Sequence, residues 1–126
     1  MAIPRQHETC SVMVVDDSEV ARSLLRDILE ECGYTVVAEA ADGVEAVERY
    51  TELRPRVTIM DVKMPRKDGI EATRDILALD GDARVLLCSS TDSGSLLAAA
   101  AEAGAGGVVY KPFNPEQIVE AIEAVL

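Results

Sequence analysis

Short apolar runs alternate five times with stretches of helical spacing along this sequence, and that alternation constrains the fold more than any other feature. Val12-Met13-Val14-Val15 is apolar at every position, which reads as a strand buried on both faces. Val20, Leu24, Leu25, Ile28, Leu29 and Cys32 then recur at the spacing of a helix face, and Gly33 supplies a stop. Thr35-Val36-Val37-Ala38 is a second strand. Asp42-Gly43-Val44-Glu45 reads as a capping box with Glu45 reaching back, opening a helix to about Leu53 before Pro55. Val57-Thr58-Ile59-Met60 is the third strand and ends at Asp61. A polar loop from Val62 to Lys67, containing Pro65, leads to a second box at Asp68-Gly69-Ile70-Glu71 and a helix ending near Gly81. Val85-Leu86-Leu87-Cys88 is the fourth strand and runs into Ser89, Ser90 and Thr91. An Ala-rich helix from about Ser95 to Ala103 closes at Gly104. Val108-Val109-Tyr110 is the fifth strand, followed by Lys111-Pro112. Asn114 with Pro115 opens the last helix, whose buried stripe reads Ile118, Ile122, Val125 and Leu126.

Strands that alternate with helices predict an α/β fold: a doubly wound, five-stranded parallel sheet with helices on both faces. The usual winding is strand order 2-1-3-4-5, the flavodoxin-like arrangement. Its ligands sit outside the carboxyl ends of the strands, where the first and third lie side by side.

Composition narrows the functions open to such a domain. The 126 residues suit one domain, and 48% hydrophobic content supplies a core without metal or disulfide staples. A net charge of −11 argues against a nucleic-acid or anionic-membrane partner held by a basic patch. Cys10, Cys32 and Cys88 are odd in number, show no C-x-x-C spacing and have no nearby histidine, which fits a reduced, cytoplasmic setting. Residues 1–10 contain no signal-peptide core, and no stretch is long enough to span a membrane. His7, the single histidine, reads as a solvated tail residue. The chain ends within a helical pattern at Leu126, which reads as a module without an attached effector.

The residues leaving the strands carry the chemistry. Asp16-Asp17 follows the first strand, Asp61 the third, Ser89-Ser90-Thr91 the fourth and Lys111 the fifth. With the first and third strands adjacent, three carboxylates share one cleft. Their mutual repulsion calls for a cation, and an all-oxygen set without His or Cys selects Mg²⁺. Lys111 beside such a cluster keeps a carboxylate ionised and neutralises the oxygens of a transferring phosphoryl group, to which Ser89 can also donate. Taken singly, an Asp at a strand end is a cap or turn residue, Ser18 caps the first helix unaided, and Lys111 is an ion-pair partner for Asp61. Their coincidence at four strand ends on one edge points instead to a phosphoryl-accepting aspartate.

Val14-Val15-Asp16-Asp17-Ser18, Met60-Asp61-Val62-Lys63-Met64-Pro65 with Asp68-Gly69, Cys88-Ser89-Ser90 and Tyr110-Lys111-Pro112-Phe113 resemble the receiver domain of two-component response regulators. The single-domain chemotaxis regulators look most similar. The resemblance implies a receiver domain over residues 11–126 behind a tail of residues 1–10. It implies that Asp61 is phosphorylated, that Asp17 binds Mg²⁺ directly, that Asp16 holds a metal water and that the Lys63 backbone carbonyl is a further ligand. Ser89 matches the switch hydroxyl and Lys111 the family lysine, with a cis bond before Pro112. The implied partners are a sensor histidine kinase or phosphotransfer protein and an unnamed output protein met by a monomer. No nucleic acid or membrane partner is implied. The protein is then no enzyme in the ordinary sense, but a phosphoacceptor that assists its own phosphorylation and dephosphorylation. The sequence departs from the family at Val108, where an aromatic residue is common. Tyr110, two residues on along the same strand face, is the candidate to replace it. Lys63 and Thr91 border the expected path of hydrolytic water. A Mg²⁺-dependent aspartate-nucleophile phosphohydrolase needs a second acid where Lys63 stands. A flavin carrier would set Asp16-Asp17 against the flavin phosphate. A phosphorylation-independent binding module would not need the full set of site residues.

Overall fold

Ser11–Val15 (β1), Thr35–Ala40 (β2), Val57–Asp61 (β3), Val85–Ser89 (β4) and Gly107–Tyr110 (β5) form one parallel sheet in the order β2-β1-β3-β4-β5. The structure is a computed structural model and describes residues 10–91 and 93–126. His7 and the tail before Cys10 lie outside the described residues. The helices are Glu19–Glu31 (α1), Gly43–Leu53 (α2), Gly69–Leu79 (α3), Gly94–Ala103 (α4) and Pro115–Val125 (α5).

Each helix opens on a polar side chain that takes an otherwise unpaired backbone N–H: Ser18, Asp42, Asp68, Ser93 and Asn114. Such a cap contributes about 1 kcal/mol. The reciprocal box is complete at Asp68, where the Glu71 carboxylate accepts the Asp68 N–H. At Asp42 only half of the expected box forms: its Oδ1 accepts the Glu45 N–H, Glu45 does not reach back among the described residues, and Oδ2 is free to take Arg66. Ser93 sets the start of α4 at Gly94, one residue before the sequence expectation.

Alternate residues of the inner strands supply two cores. Val12, Val14, Ile59, Leu86 and Cys88 pack with Leu25, Leu29, Ile118 and Ile122 on the α1/α5 side. Met13, Val15, Met60 and Leu87 pack with Ala46, Tyr50, Ala72, Ile76 and Ala100 on the other. β1, β3 and β4 are therefore buried on both faces, as their unbroken apolar runs predict.

β2 departs from that expectation. It is an edge strand with alternating burial, and it runs two residues further than the sequence suggests, to Ala40. Its register against β1 shifts between Val12 and Met13, so that Val36 pairs with Val12 but Ala38 with Met13. The extra residue, Val37, bulges outward at 40% exposure. Val36 consequently joins one core, while Ala38 and Ala40 join the other.

Two helical stripes are narrower than their spacing implies. Val20 and Leu24 are exposed at 79% and 54%. At about 100° per residue Val20 lies roughly 140° round α1 from buried Leu25, beyond the face the sheet covers. Leu126 falls past the last turn of α5 and is exposed, whereas Ile118 and Ile122 are buried. No helix among the described residues is long and apolar enough to cross a membrane.

Thr58 stands out in the sheet centre. It is fully buried, and its hydroxyl has no hydrogen-bond partner among the described residues. Thr58→Val replaces that hydroxyl with a methyl of similar shape. It should raise the unfolding free energy by about 1 kcal/mol in chemical denaturation.

Candidate functional site

The carboxyl ends of β1, β3, β4 and β5 meet on one edge, and the site grows from how each chain leaves its strand. Asp16 follows β1 and is buried. Its backbone N–H donates to the Ala40 carbonyl at 3.1 Å, and one carboxylate oxygen accepts the Ser18 N–H at 2.9 Å. Ser18 caps α1 through its own hydroxyl, which accepts from the Ala21 N–H. Asp17 needs no capping role and stays exposed. Asp61 ends β3 with its side chain 13% exposed, and its Oδ1 accepts the Val62 N–H at 3.0 Å. One carboxylate oxygen from each of Asp16, Asp17 and Asp61 lies within 4.8 Å of the others.

Lys111 enters from β5, its backbone N–H held by the Ser89 carbonyl at 2.9 Å. Its Nζ is 2.9 Å from Asp16 Oδ2 and 3.4 Å from Asp61 Oδ1. The ion pair expected with Asp61 forms, and a second, shorter contact joins Lys111 to Asp16. The Lys111-Pro112 bond is cis. Ser89 ends β4 almost fully buried, and its hydroxyl accepts the Thr91 N–H and donates to the Thr91 carbonyl, both at 3.0 Å. Lys63 is exposed two residues beyond Asp61. Val108 is part-buried against the α2/α3 core, and Tyr110, two residues on, is also part-buried.

Charge and burial oppose one another here. Burial pushes the Asp61 carboxyl above its ordinary value of 3.8, with the Lys111 ammonium pulling it down and the Asp16 charge pushing it up. Burial acting alone lowers Lys111, but the Asp16 hydrogen bond and the two carboxylate charges outweigh it and hold Lys111 above 10.5. Cys88, deeply buried behind the site, is pushed up to about 12 by desolvation, which leaves it a protonated core thiol.

The Asp61 shift carries a stability consequence with a definite sign. The folded state holds the Asp61 proton more tightly than the unfolded chain does. Stability therefore falls as pH rises from the ordinary carboxylate value through the raised one, and it stays reduced above. Asp61→Asn should melt at a higher temperature than the parent at neutral pH without divalent metal. The gap should close as the pH falls below 3.8.

Two elements of the site escaped sequence reasoning. Arg22 Nη1 donates to the Asp16 carbonyl at 2.6 Å, and its Nε pairs with Glu39 of β2 at 3.2 Å. A cation in the first turn of a helix opposes the dipole, and that mismatch was a readable sign that Arg22 has a partner elsewhere. Gly69 presses the start of α3 against β3: its N–H donates to the Val62 carbonyl at 2.8 Å, and a Cβ there would lie 2.1 Å from the Asp61 carbonyl oxygen.

The donor set fits a hard dication. All three donors are carboxylate oxygens, and one ammonium leaves them with surplus negative charge.

Residues 12–123 match the response regulator receiver domain family. The chain belongs to this family. The receiver is 45% identical to the chemotaxis protein CheY of Halobacterium salinarum over 91% of its own length and 95% of the relative's. It is 40% identical to CheY of Thermotoga maritima over 90% and 95%. Among solved structures it is similar to a LuxR-family two-component response regulator of Aurantimonas, at 43% identity and a TM-score of 0.88 over 93% of this receiver and 84% of that chain. It also resembles a CheX-CheY-BeF3-Mg+2 complex of Borrelia burgdorferi, at 29% identity and a TM-score of 0.88 over 92% and 88%.

Proposed function

We propose that this receiver takes a phosphoryl group on Asp61 from a sensor histidine kinase or phosphotransfer protein in a Mg²⁺-dependent reaction. The observation that carries the proposal is the meeting of Asp16, Asp17 and Asp61 opposite the Lys111 ammonium. Asp16, Asp17, Asp61 and the Lys63 carbonyl would hold the ion, which supplies neutralising charge to the phosphoryl oxygens when bound.

An Asp61 carboxylate oxygen forms the new bond to phosphorus as the phosphorus–nitrogen bond of a phosphohistidine breaks. The electron pair leaves with the imidazole, which takes up a proton. Lys111 is bound to Asp61 and Asp16 before the reaction, so its charge is in place when negative charge builds on the transferred group. To donate to the phosphoryl group Ser89 must give up the O–H bond it makes to the Thr91 carbonyl, which couples the site to the loop before α4. The protein then acts as a phosphoacceptor that assists its own phosphorylation and dephosphorylation. The output is a population shift on the α4-β5-α5 surface.

The likeness to CheY proteins, one of them solved with BeF3 and Mg+2, supports a cytoplasmic chemotaxis role. There a monomeric receiver unit over residues 11–126 would meet an output protein. Incubation with a small-molecule phosphodonor and Mg²⁺ should give a base-labile mass gain of one phosphoryl group, absent in Asp61→Asn. The same gain in Asp61→Asn would overturn the assignment.

A further inference from the structure

The loop between β3 and α3 carries the Lys63 carbonyl, and it holds the one described residue near the site, other than glycine, whose backbone adopts a positive φ. Arg66 sits at φ 67°, and the Lys67 N–H donates across it to the Pro65 carbonyl at 2.7 Å. This is a three-residue turn of the strained, positive-φ kind, which persists only where its surroundings hold it. The surroundings are the first residues of α2. Arg66 Nη1 lies 3.2 Å from Asp42 Oδ2, whose side chain is only 7% exposed. The Gly43 N–H donates to the Lys67 carbonyl at 3.0 Å. The approach is so close that a Cβ on Gly43 would stand 2.4 Å from that oxygen. The far end of the loop is closed by the Gly69 N–H on the Val62 carbonyl. Lys63 and Met64 therefore lie on a span fixed at both ends.

We propose that Arg66 and Asp42 are positioning residues for the divalent cation: their pair holds the strained turn and so sets the Lys63 carbonyl toward the carboxylates. This rests on the Mg²⁺-dependent phosphoacceptor reading above. A purely structural pair would serve the cap of α2, but the cap is made by the other Asp42 oxygen, on the Glu45 N–H at 2.9 Å. The Arg66 contact is thus separable from the cap, and the strain it sustains falls in the loop that would bind metal.

That separability gives the test. Arg66→Gly removes the pair and accepts a positive φ without strain. Asp42→Asn keeps an acceptor oxygen for the cap but loses the charge facing Arg66. Arg66→Lys keeps a cation without the planar fork. Mg²⁺ affinity is read by calorimetry, the Lys63 and Met64 amides by NMR, and melting temperature without metal. The expected result is about a tenfold weaker Mg²⁺ affinity in Arg66→Gly, the scale of lost support around a metal ligand. It should come with displaced Lys63 and Met64 amides and a melting temperature at or above the parent's. Asp42→Asn should weaken binding similarly, the double variant no further, and Arg66→Lys should fall between. Parental affinity in Arg66→Gly overturns the inference, as does a loss that merely tracks melting temperature across the variants. A parent that takes up no Mg²⁺ removes the inference together with the reading it rests on, and is distinguishable from both.

Discussion

Lys111→Ala is expected to slow phosphoryl uptake by Asp61 about 100-fold or more, the usual loss when one preorganised donor to a developing negative charge is removed. The side chain is 26% exposed and bridges two carboxylates that are 8% and 13% exposed, so no other cation among the described ion pairs takes its place. Its loss also strands Asp16 and Asp61 as neighbouring buried anions, which should cost about 3 kcal/mol of stability without metal. The pH dependence separates the two effects. In the parent, the stability owed to Lys111 is present below 10.5 wherever its carboxylate partners are ionised, and is lost as pH rises through its raised value. In Lys111→Ala, stability should fall steeply as pH rises through the carboxylate range, because the main offset to the charge on Asp61 is gone and only the Val62 N–H remains. Adding Mg²⁺ should restore stability but not the rate. Phosphorylation of Lys111→Ala at the parental rate, followed by intact mass, would contradict the role given to this lysine.

Gly69→Ala should be strongly destabilising. Its Cβ would stand 2.1 Å from the Asp61 carbonyl oxygen and 3.1 Å from Val62 Cα. Both are backbone atoms, so no flexible side chain can give way. The conformation of Gly69 is not at issue, since its φ is not positive. The collision alone should cost about 3 kcal/mol, at the high end for overpacking. Relief requires moving either the first turn of α3 or the end of β3, and the latter carries Asp61. Denaturant melts should show the loss of stability. Phosphorylation measured under conditions where the variant is fully folded should fall as well. A variant with parental stability would mean that the close approach of α3 to Asp61 is misplaced.

The residues that were legible in advance share a physical cause. β1, β3 and β4 are buried on both faces, so their runs are apolar throughout and stand apart from their neighbours. The cap residues Ser18, Asp42, Asp68 and Asn114 announce themselves because a helix start selects few side chains. Asp16, Asp17, Asp61, Ser89 and Lys111 were legible because parallel topology carries all strand ends to one edge. What stayed hidden depends on registers and distances that no local pattern encodes. Val36 and Val37 are equally apolar, so nothing in the sequence marks the second as the bulged, exposed one. Val20 and Leu24 read as part of the α1 stripe because spacing gives a face but not its width. The closer hold of Asp16 on Lys111, the reach of Arg22 to the Asp16 carbonyl and the contact of Gly69 with Asp61 all join residues distant in the chain.

The most direct test of the acid cluster is a calorimetric Mg²⁺ titration of the parent beside Asp17→Asn. Asp17 is exposed and caps nothing, so its replacement should leave the fold intact. Uptake of one Mg²⁺ by the parent, with a rise in melting temperature as the ion saturates, and a severalfold or greater loss of affinity in Asp17→Asn are the expected outcome. A parent that binds no Mg²⁺, or an Asp17→Asn that binds it as tightly, would contradict the site.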